Sequence, residues 1–345
     1  MSIDSFEAIR YRGIAGLSLK NLSRANLITG ENGVGKTALI EALWLFTGRR
    51  NPGLLWNTNV QRSSHPVIDP VAELSDGPIE LVGSENGKED SWKIEFEAVE
   101  RVERVPFDDS DTESPPIAIA GRLHSWIGDE LIDEGPRSMR DSPNGAVLYG
   151  TPSLREKKGN CIIEGTSWQL VMPDEFLQRY SDMVREGRKR ALTEATNLIL
   201  PGIQDIEILT DKSGKSYLSA NTVTNVQLPL QALGGGVVRL FRLYLNFFTA
   251  RRGMVLVDEL ENGMHHSVLR DLWGLVRSAM HEWDVQFVAT THSAECIEAA
   301  MAVFESEPDD LSIHKLYRDE SGGVKAVTFA GETLEGARDL DLEIR

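Results

Sequence analysis

The chain has 345 residues, 41% of them hydrophobic, enough to bury a sizeable core as one large domain or a domain with an inserted lobe. Its formal net charge of −17 argues against a general nucleic-acid coat protein, since phosphate binding draws its affinity from clustered Lys and Arg. The start, MSIDSFEAIRYRG, has no apolar signal stretch, and the most apolar run, VVRLFRLYLNFF, is too short to span a bilayer and is broken by Arg239 and Arg242, so a cytoplasmic chain with no membrane partner is expected.

Residues 1–50 read as two short strands, a buried strand from Asn26 to Thr29, a glycine-rich turn, and a helix from about Lys36 to Gly48. From 51 to 165 the pattern loosens. Strand-like pieces such as IELVG and SWKIEFEAVE alternate with acidic, proline-bearing loops, of which PFDDSDTESPP is the clearest. Helical periodicity with charges of both signs runs over 173–199, and a strand pair is expected around 204–219. From Leu228 the order is glycine turn, helix (237–249), apolar strand MVLVD, helix (about 265–281), strand VQFVATT and helix (293–302). Strands separated by helices predict a mostly parallel sheet with helices on both faces. Two further strands, SIHKLYR and VKAVTFA, a short helix and an acidic tail close the chain. The two cysteines, Cys161 and Cys296, lie far apart without metal-ligand spacing and fit reduced thiols.

ITGENGVGKTALIEAL carries the strongest local signal. Gly30, Gly35, Lys36 and Thr37 fit G-x-x-x-x-G-K-[ST] between an apolar strand and an apolar-periodic helix. Such a loop, here Gly30, Glu31, Asn32, Gly33, Val34, Gly35, Lys36, Thr37 and Ala38, turns backbone N–H groups onto phosphate oxygens at a helix N-terminus. Lys36 would reach the β- and γ-phosphates, and the Thr37 hydroxyl would ligate Mg²⁺. MVLVDELENG supplies the complement: Asp258 ends an apolar strand where it meets the Mg²⁺ shell, and Glu259 beside it is placed to polarise an attacking water. The alternative is that the two carboxylates merely open a solvated loop. In VQFVATTHSAE, Ser293 is a good N-cap, and His292 emerges at the same sheet edge as Asp258, where it would sense the γ-phosphate.

P-loop, glycine-rich turn, Asp-Glu strand and His strand follow in the order of ABC-type ATPases, and the closest resemblance is to the OLD-like and AAA-15/AAA-21 group, which is related to SMC and RecF-type ATPases. LGGGVVR, DELENGMHH and TTHS resemble that group's L-G-S-G-x-x-R, D-E-P-E-x-x-L-H-P and T-T-H-S, and the first fifty or so residues resemble its opening. The resemblance implies an α/β fold: an ABC-type P-loop ATPase with a mostly parallel sheet, an antiparallel β subdomain and an inserted helical lobe. The divisions would be 1–60 (core with P-loop), 61–225 (inserted β and helical lobe) and 226–345 (core with signature turn, Asp-Glu strand and switch histidine).

It further implies ATP and Mg²⁺ as ligands, with Thr37 and Asp258 on the metal, Glu259 as general base, His292 as switch histidine and Lys36 on phosphate. Two copies would sandwich two ATPs head to tail, with Gly234, Gly235 and Gly236 acting on the partner's γ-phosphate, and Glu261, Asn262 and His265 in a loop crossing the interface. A metal-contacting glutamine has two candidates, Gln61 and Gln169. Arg10, Tyr11 and Arg12 are either adenine contacts or parts of an N-terminal strand. The signature departs from its relatives in having Gly235 where a serine is usual.

A transporter motor is disfavoured because the signature lacks the L-S-G-G-Q form, and a chromosome-structural role because the helical insertion is too short for a coiled-coil arm. The residues after the His292 helix are too few for the TOPRIM nuclease domain of OLD proteins. The expectation is therefore an ATPase component of an anti-phage defence system, acting as a homodimer or higher homo-oligomer with a separate effector. The alternatives are a RecF-type repair ATPase that binds DNA, for which Arg179, Arg185, Arg188, Lys189 and Arg190 are the candidate patch, and an ATP-binding switch with little turnover. Mixed charge on an exposed helix face accounts for the same basic residues.

Overall fold

The computed structural model describes residues 2–49, 54, 77–102, 118–140, 147–149, 161–164, 174–331, 333 and 334. Gln61, Gln169, the PFDDSDTESPP loop and the acidic tail lie outside these residues.

Three sheets organise the described residues. The first has six strands in the order β16-β15-β3-β14-β13-β9, formed by Val324–Ala330, Leu311–Arg318, Ala25–Gly30, Gln286–Thr290, Met254–Val257 and Cys161–Glu164. All neighbours in it are parallel except β16, which runs antiparallel at one edge. Its central strands β3, β14 and β13 are buried along their whole length because both faces are covered. Ala25, Leu27, Val255, Val257, Phe287 and Ala289 face one hydrophobic core, while Ile28, Met254, Leu256 and Val288 face a second. The period of two is thus intact although no face is wet.

The first core is closed by helices. These are α4 (Gly235–Thr249), α5 (Leu269–Trp283) and α6 (Ala294–Val303), with α2 (Asp174–Arg185) and α3 (Lys189–Ile199) packed outside α4. The second core lies under α1 (Lys36–Thr47) and an antiparallel seven-stranded sheet, order β2-β1-β4-β5-β6-β7-β8. Its strands are Ile3–Tyr11 (β1), Ile14–Leu19 (β2), Ile79–Glu85 (β4), Lys88–Val102 (β5), Ala118–Ile127 (β6), Glu130–Arg140 (β7) and Val147–Tyr149 (β8). A third sheet, β10 (Ile203–Thr210), β11 (Ser216–Thr222) and β12 (Gln227–Pro229), joins α2 and α3 in a lobe that precedes α4. The described residues of 61–225 therefore feed three places: the antiparallel sheet, the edge strand β9 of the parallel sheet, and the helical lobe.

Local chemistry explains the boundaries. The periodic stretch 173–199 is two helices, because the chain turns at Gly187 with φ 73°. The lobe is fastened by the Tyr180 hydroxyl donating to the Ile206 carbonyl, and by the Asn197 amide oxygen accepting from the N–H groups of Gly202 and Ile203 at 2.8 and 2.9 Å. Helix α4 starts at Gly235, two residues before its apolar periodicity begins, and α5 starts at Leu269, after a short 3₁₀ turn. Among the described residues no helix is long and apolar enough to cross a membrane. Both cysteines are free.

Candidate functional site

The parallel strands β3, β13 and β14 end at one edge, and each delivers a functional turn there. After β3 the chain enters the phosphate-type loop with Gly30, Gly33 and Gly35 at φ 132°, 76° and 111°. Gly30 is required on two grounds: its φ lies where L side chains rarely go, and a Cβ there would stand 2.4 Å from the Leu316 carbonyl oxygen of β15. Val34 tucks inward and is buried, whereas Glu31, Asn32 and Gly33 form an exposed tip. Ala38 and Lys36 are buried in the first turn of α1, whose N-cap is Gly35. The Lys36 ammonium donates to the carbonyls of Gly30 and Glu31 at 2.7 and 2.9 Å. Burial lowers its pKa, opposed by the carboxylates of Asp258, Glu259 and Glu261.

The Asp258 carboxylate is pinned at both oxygens. Oδ2 accepts from the Thr37 hydroxyl at 2.8 Å, across 221 residues of sequence, and Oδ1 accepts from the Thr290 hydroxyl at 2.5 Å. Thr290 also accepts from the Glu259 N–H at 2.8 Å, so one hydroxyl at the end of β14 sets the peptide carrying both carboxylates. Glu259 itself is held at φ 49°, a left-handed conformation unfavourable for a glutamate. Its carbonyl and that of Asp258 both accept from Arg239 of α4 at 2.7 Å. A hydroxyl and a carboxylate meeting at the mouth of the loop form a hard-oxygen pair suited to Mg²⁺.

His292 leaves the next strand end with its ring 53% exposed and Nδ1 3.2 Å from the Glu261 carboxylate, which also accepts from the His292 N–H at 3.0 Å. The remaining Glu261 oxygen is buried without a hydrogen-bond partner among the described residues. The three-glycine turn opens α4. Gly234 has φ 101° and ψ 157°, accessible only to glycine, and the space where a Cβ would stand on Gly234 or Gly235 is empty to 4 Å. Gly236 is different, since its Cβ would lie 2.9 Å from the carbonyl oxygen of Gly263, in the turn that also carries Glu261, Asn262 and His265. Tyr11 ends β1 and Arg12 lies in the turn after it: Tyr11 is fully buried, and its hydroxyl and the Arg12 guanidinium reach the buried Glu41 carboxylate of α1 at 3.3 and 2.6 Å.

The structure thus brings Lys36, Thr37, Asp258 and Glu259 to one place, with His292 and the glycine turn flanking them. It adds three residues that the sequence motifs left without roles. Thr290 was visible as a hydroxyl ending an apolar strand. Arg239 was visible as one of two cations inside a largely apolar helix. Glu164 carried no signal, because nothing local says that the short strand β9 pairs beside β13, with Glu164 opposite Val257.

A glycine-rich loop after β3, a buried Asp at the end of β13 on the far side of β14, and a glycine turn opening a helix over that same edge define an ABC-class P-loop ATPase, of the group related to SMC and RecF. Residues 25–298 match the profile of the AAA_21 family, described as "AAA domain, putative AbiEii toxin, Type IV TA system", and the chain belongs to that family. It is 22% identical to an ATP/GTP phosphatase of Helicobacter pylori, over 96% of this chain and 97% of that protein. It is also 24% identical to the DNA replication and repair protein RecF of Shewanella loihica, over 68% of each chain. Among solved structures it resembles an Smc head domain with an extended coiled coil from Pyrococcus furiosus, bound to the C-terminal domain of ScpA (TM-score 0.55, 14% identity, 100% of this chain and 99% of that one). A second Smc head bound to the C-winged helix domain of ScpA superposes with the same TM-score of 0.55.

Proposed function

We propose that the chain binds ATP with Mg²⁺ between two copies of itself and hydrolyses it, and that it is the ATPase and sensor half of an anti-phage defence pair acting with a separate effector. The observation that carries the hydrolytic reading is the Thr37–Asp258 contact of 2.8 Å at the mouth of the loop, with Glu259 locked beside it in a left-handed conformation by Thr290 and Arg239. In this reading the backbone N–H groups from Gly30 to Ala38 cradle the phosphates, and Lys36 exchanges two loop carbonyls for phosphate oxygens. Thr37 and Asp258 would hold Mg²⁺, and the ion would supply positive charge to the phosphates.

Glu259 accepts a proton from water as that oxygen bonds to the γ-phosphorus; the bond to the β,γ-bridging oxygen breaks, leaving ADP and phosphate. His292 donates to the γ-phosphate, and Glu261 orients it. Gly234, Gly235 and Gly236 of the second copy close the site with bare backbone N–H groups and a helix N-terminus. Gly235, exposed with open space at Cβ and no φ that demands glycine, supports this, since a turn needed only for folding gains nothing from leaving that position bare. The family's toxin–antitoxin description supports the defence setting, and the RecF likeness supports the alternative of a DNA-binding repair ATPase.

The test is ATP turnover of the wild type against Glu259→Gln. Loss of a general base predicts a fall of about 100-fold or more with nucleotide binding retained. A wild type no faster than Glu259→Gln would leave an ATP-binding switch in place of an enzyme. Copurification with the product of a neighbouring gene supports the two-component reading, whereas full phage protection by this chain alone would refute it.

A further inference from the structure

Helix α4 is apolar around most of its circumference, yet Arg239, Arg242 and Asn246 form one polar stripe along it at i, i+3 and i+7. Arg242 and Asn246 are 3% and 1% exposed, so this is not a solvated face. All three side chains act on the β13 end of the parallel sheet. Arg239 donates to the carbonyls of Asp258 and Glu259. Arg242 lies with Nε 3.7 Å from one carboxylate oxygen of Glu164, and Asn246 donates to the other at 2.7 Å. Glu164 is itself 4% exposed, and its backbone carbonyl accepts the N–H of Asp258 at 2.8 Å.

The network continues outward into the lobe. The Asn246 amide oxygen accepts from Arg179 of α2 at 2.9 Å, and the Arg179 and Arg242 guanidinium groups both lie over the Phe176 ring, at 5.1 and 4.8 Å. The peptide carrying Asp258 and Glu259 is therefore gripped from two sides by one helix: directly through Arg239, and through Glu164 by way of Arg242 and Asn246. That helix begins with the three glycines. Buried charges tolerate few arrangements, because each must keep a partner, so such a network holds one register and resists intermediate ones.

We propose that Glu164 is a positioning residue for the Asp258–Glu259 turn, and that the Arg239–Arg242–Asn246 stripe makes the seating of the glycine turn set the geometry of Glu259. The inference rests on the ATPase reading above for its kinetic consequence, but not for its structural one. Glu164 touches no reacting atom in it; its effect passes through the Asp258 N–H and the signature helix.

Removing one member alone leaves a buried charge uncompensated and risks the fold. The decisive variant is therefore the charge-balanced pair Glu164→Gln with Arg242→Gln in the full chain. Turnover number, KM for ATP, affinity for a fluorescent ATP analogue, melting temperature and amide hydrogen exchange would be measured together. Misplacement of a base by a fraction of an ångström predicts a fall in kcat of about tenfold or more, with KM and nucleotide affinity within about twofold. Amides of Asp258 and Leu260 should exchange faster while those of β3 and β14 do not.

Wild-type kcat in a folded double variant overturns the proposal. So does a loss of melting temperature with uniformly faster exchange, the mark of a merely structural role. If the double variant does not fold, Asn246→Ala decides by the same pattern, and unchanged kcat and exchange in it overturn the proposal equally. A wild type without ATP turnover would defeat the ATPase reading and leave the exchange pattern to judge the positioning.

Discussion

The three glycines of the signature turn have three different physical reasons, and they separate by substitution. Gly234 needs a backbone conformation that other residues rarely adopt, with φ 101° and ψ 157°. Gly235 needs neither special φ nor space, since nothing stands within 4 Å of its Cβ position. Gly236 needs room, being 2.9 Å from the Gly263 carbonyl oxygen at that position. Gly235→Ser should therefore fold with an unchanged melting temperature and supply the hydroxyl that related signatures carry. In a Glu259→Gln background its ATP-dependent dimer should be tighter, read as a shift of the monomer–dimer midpoint in sedimentation. Gly236→Ala should act oppositely: the added methyl displaces the 258–266 turn and costs about 1–3 kcal/mol by overpacking, with turnover falling. An unaltered midpoint for Gly235→Ser would show that the turn does not grip phosphate.

At the scale of elements, the α2–α3 stretch decides how far the RecF likeness reaches. Its basic residues form no bare patch: Arg179 pairs with Glu175, Arg185 with Asp182, Arg188 with Glu282, Lys189 with Asp205 and Arg190 with Glu194, each within 2.8 Å. A cation already matched to a carboxylate releases few counterions on meeting phosphate. The double variant Arg188→Ala, Lys189→Ala should change stability by less than about 2 kcal/mol, as expected for two surface pairs. Its retention of duplex DNA in a gel-shift titration at low ionic strength should equal the wild type's. A salt-sensitive duplex affinity that this variant abolishes would restore the DNA-binding alternative.

The same elements show what the sequence could tell. The loop, the Asp-Glu strand and the histidine strand were legible because each pairs an apolar run of strand length with a polar residue at its end, a local pattern. Helices α4 and α5 were legible by period, α1 by the glycine loop before an apolar run and α6 by its Ser293 N-cap. Strand β9 was not, being four residues flanked by weakly patterned chain, and its place beside β13 is set by tertiary pairing. With β9 unseen, Glu164 had no neighbours to argue from. The polar stripe on α4 was in plain view at Arg239, Arg242 and Asn246, but its meaning depended on that missing strand.

For the molecule as a whole, the two cores meet at a sheet that carries one buried titratable ring. His314, in β15 beside the loop strand β3, is fully buried. Its Nε2 lies 3.3 Å from the Asn26 amide oxygen and its Nδ1 2.9 Å from the Thr328 hydroxyl. Asn26 Oδ1 can only accept, so Nε2 carries a proton, and the Thr328 hydroxyl is able to donate to an unprotonated Nδ1, a set of partners that a neutral imidazole satisfies. Burial pushes its pKa down from the ordinary 6.5 to about 4. The sign follows directly. Between those two values the unfolded chain binds a proton that the folded chain refuses, so stability falls as pH drops through 6.5 and the loss is complete below about 4.

Between about pH 7 and pH 5 this one ring should cost roughly 2 kcal/mol of folding stability. His314→Gln keeps a donor for Asn26 and an acceptor for Thr328 and removes the titration. In urea denaturation at a series of pH values, the stability difference between wild type and variant should shift by that amount in the variant's favour as the solution is acidified. Because the window lies mostly above the ordinary carboxylate range, the acidic groups that give the chain its charge of −17 contribute little to the difference. A difference that stays flat from neutral pH to pH 5 would mean that the folded sheet accepts the proton, and that the core around β3 and β15 is wetter than its packing implies.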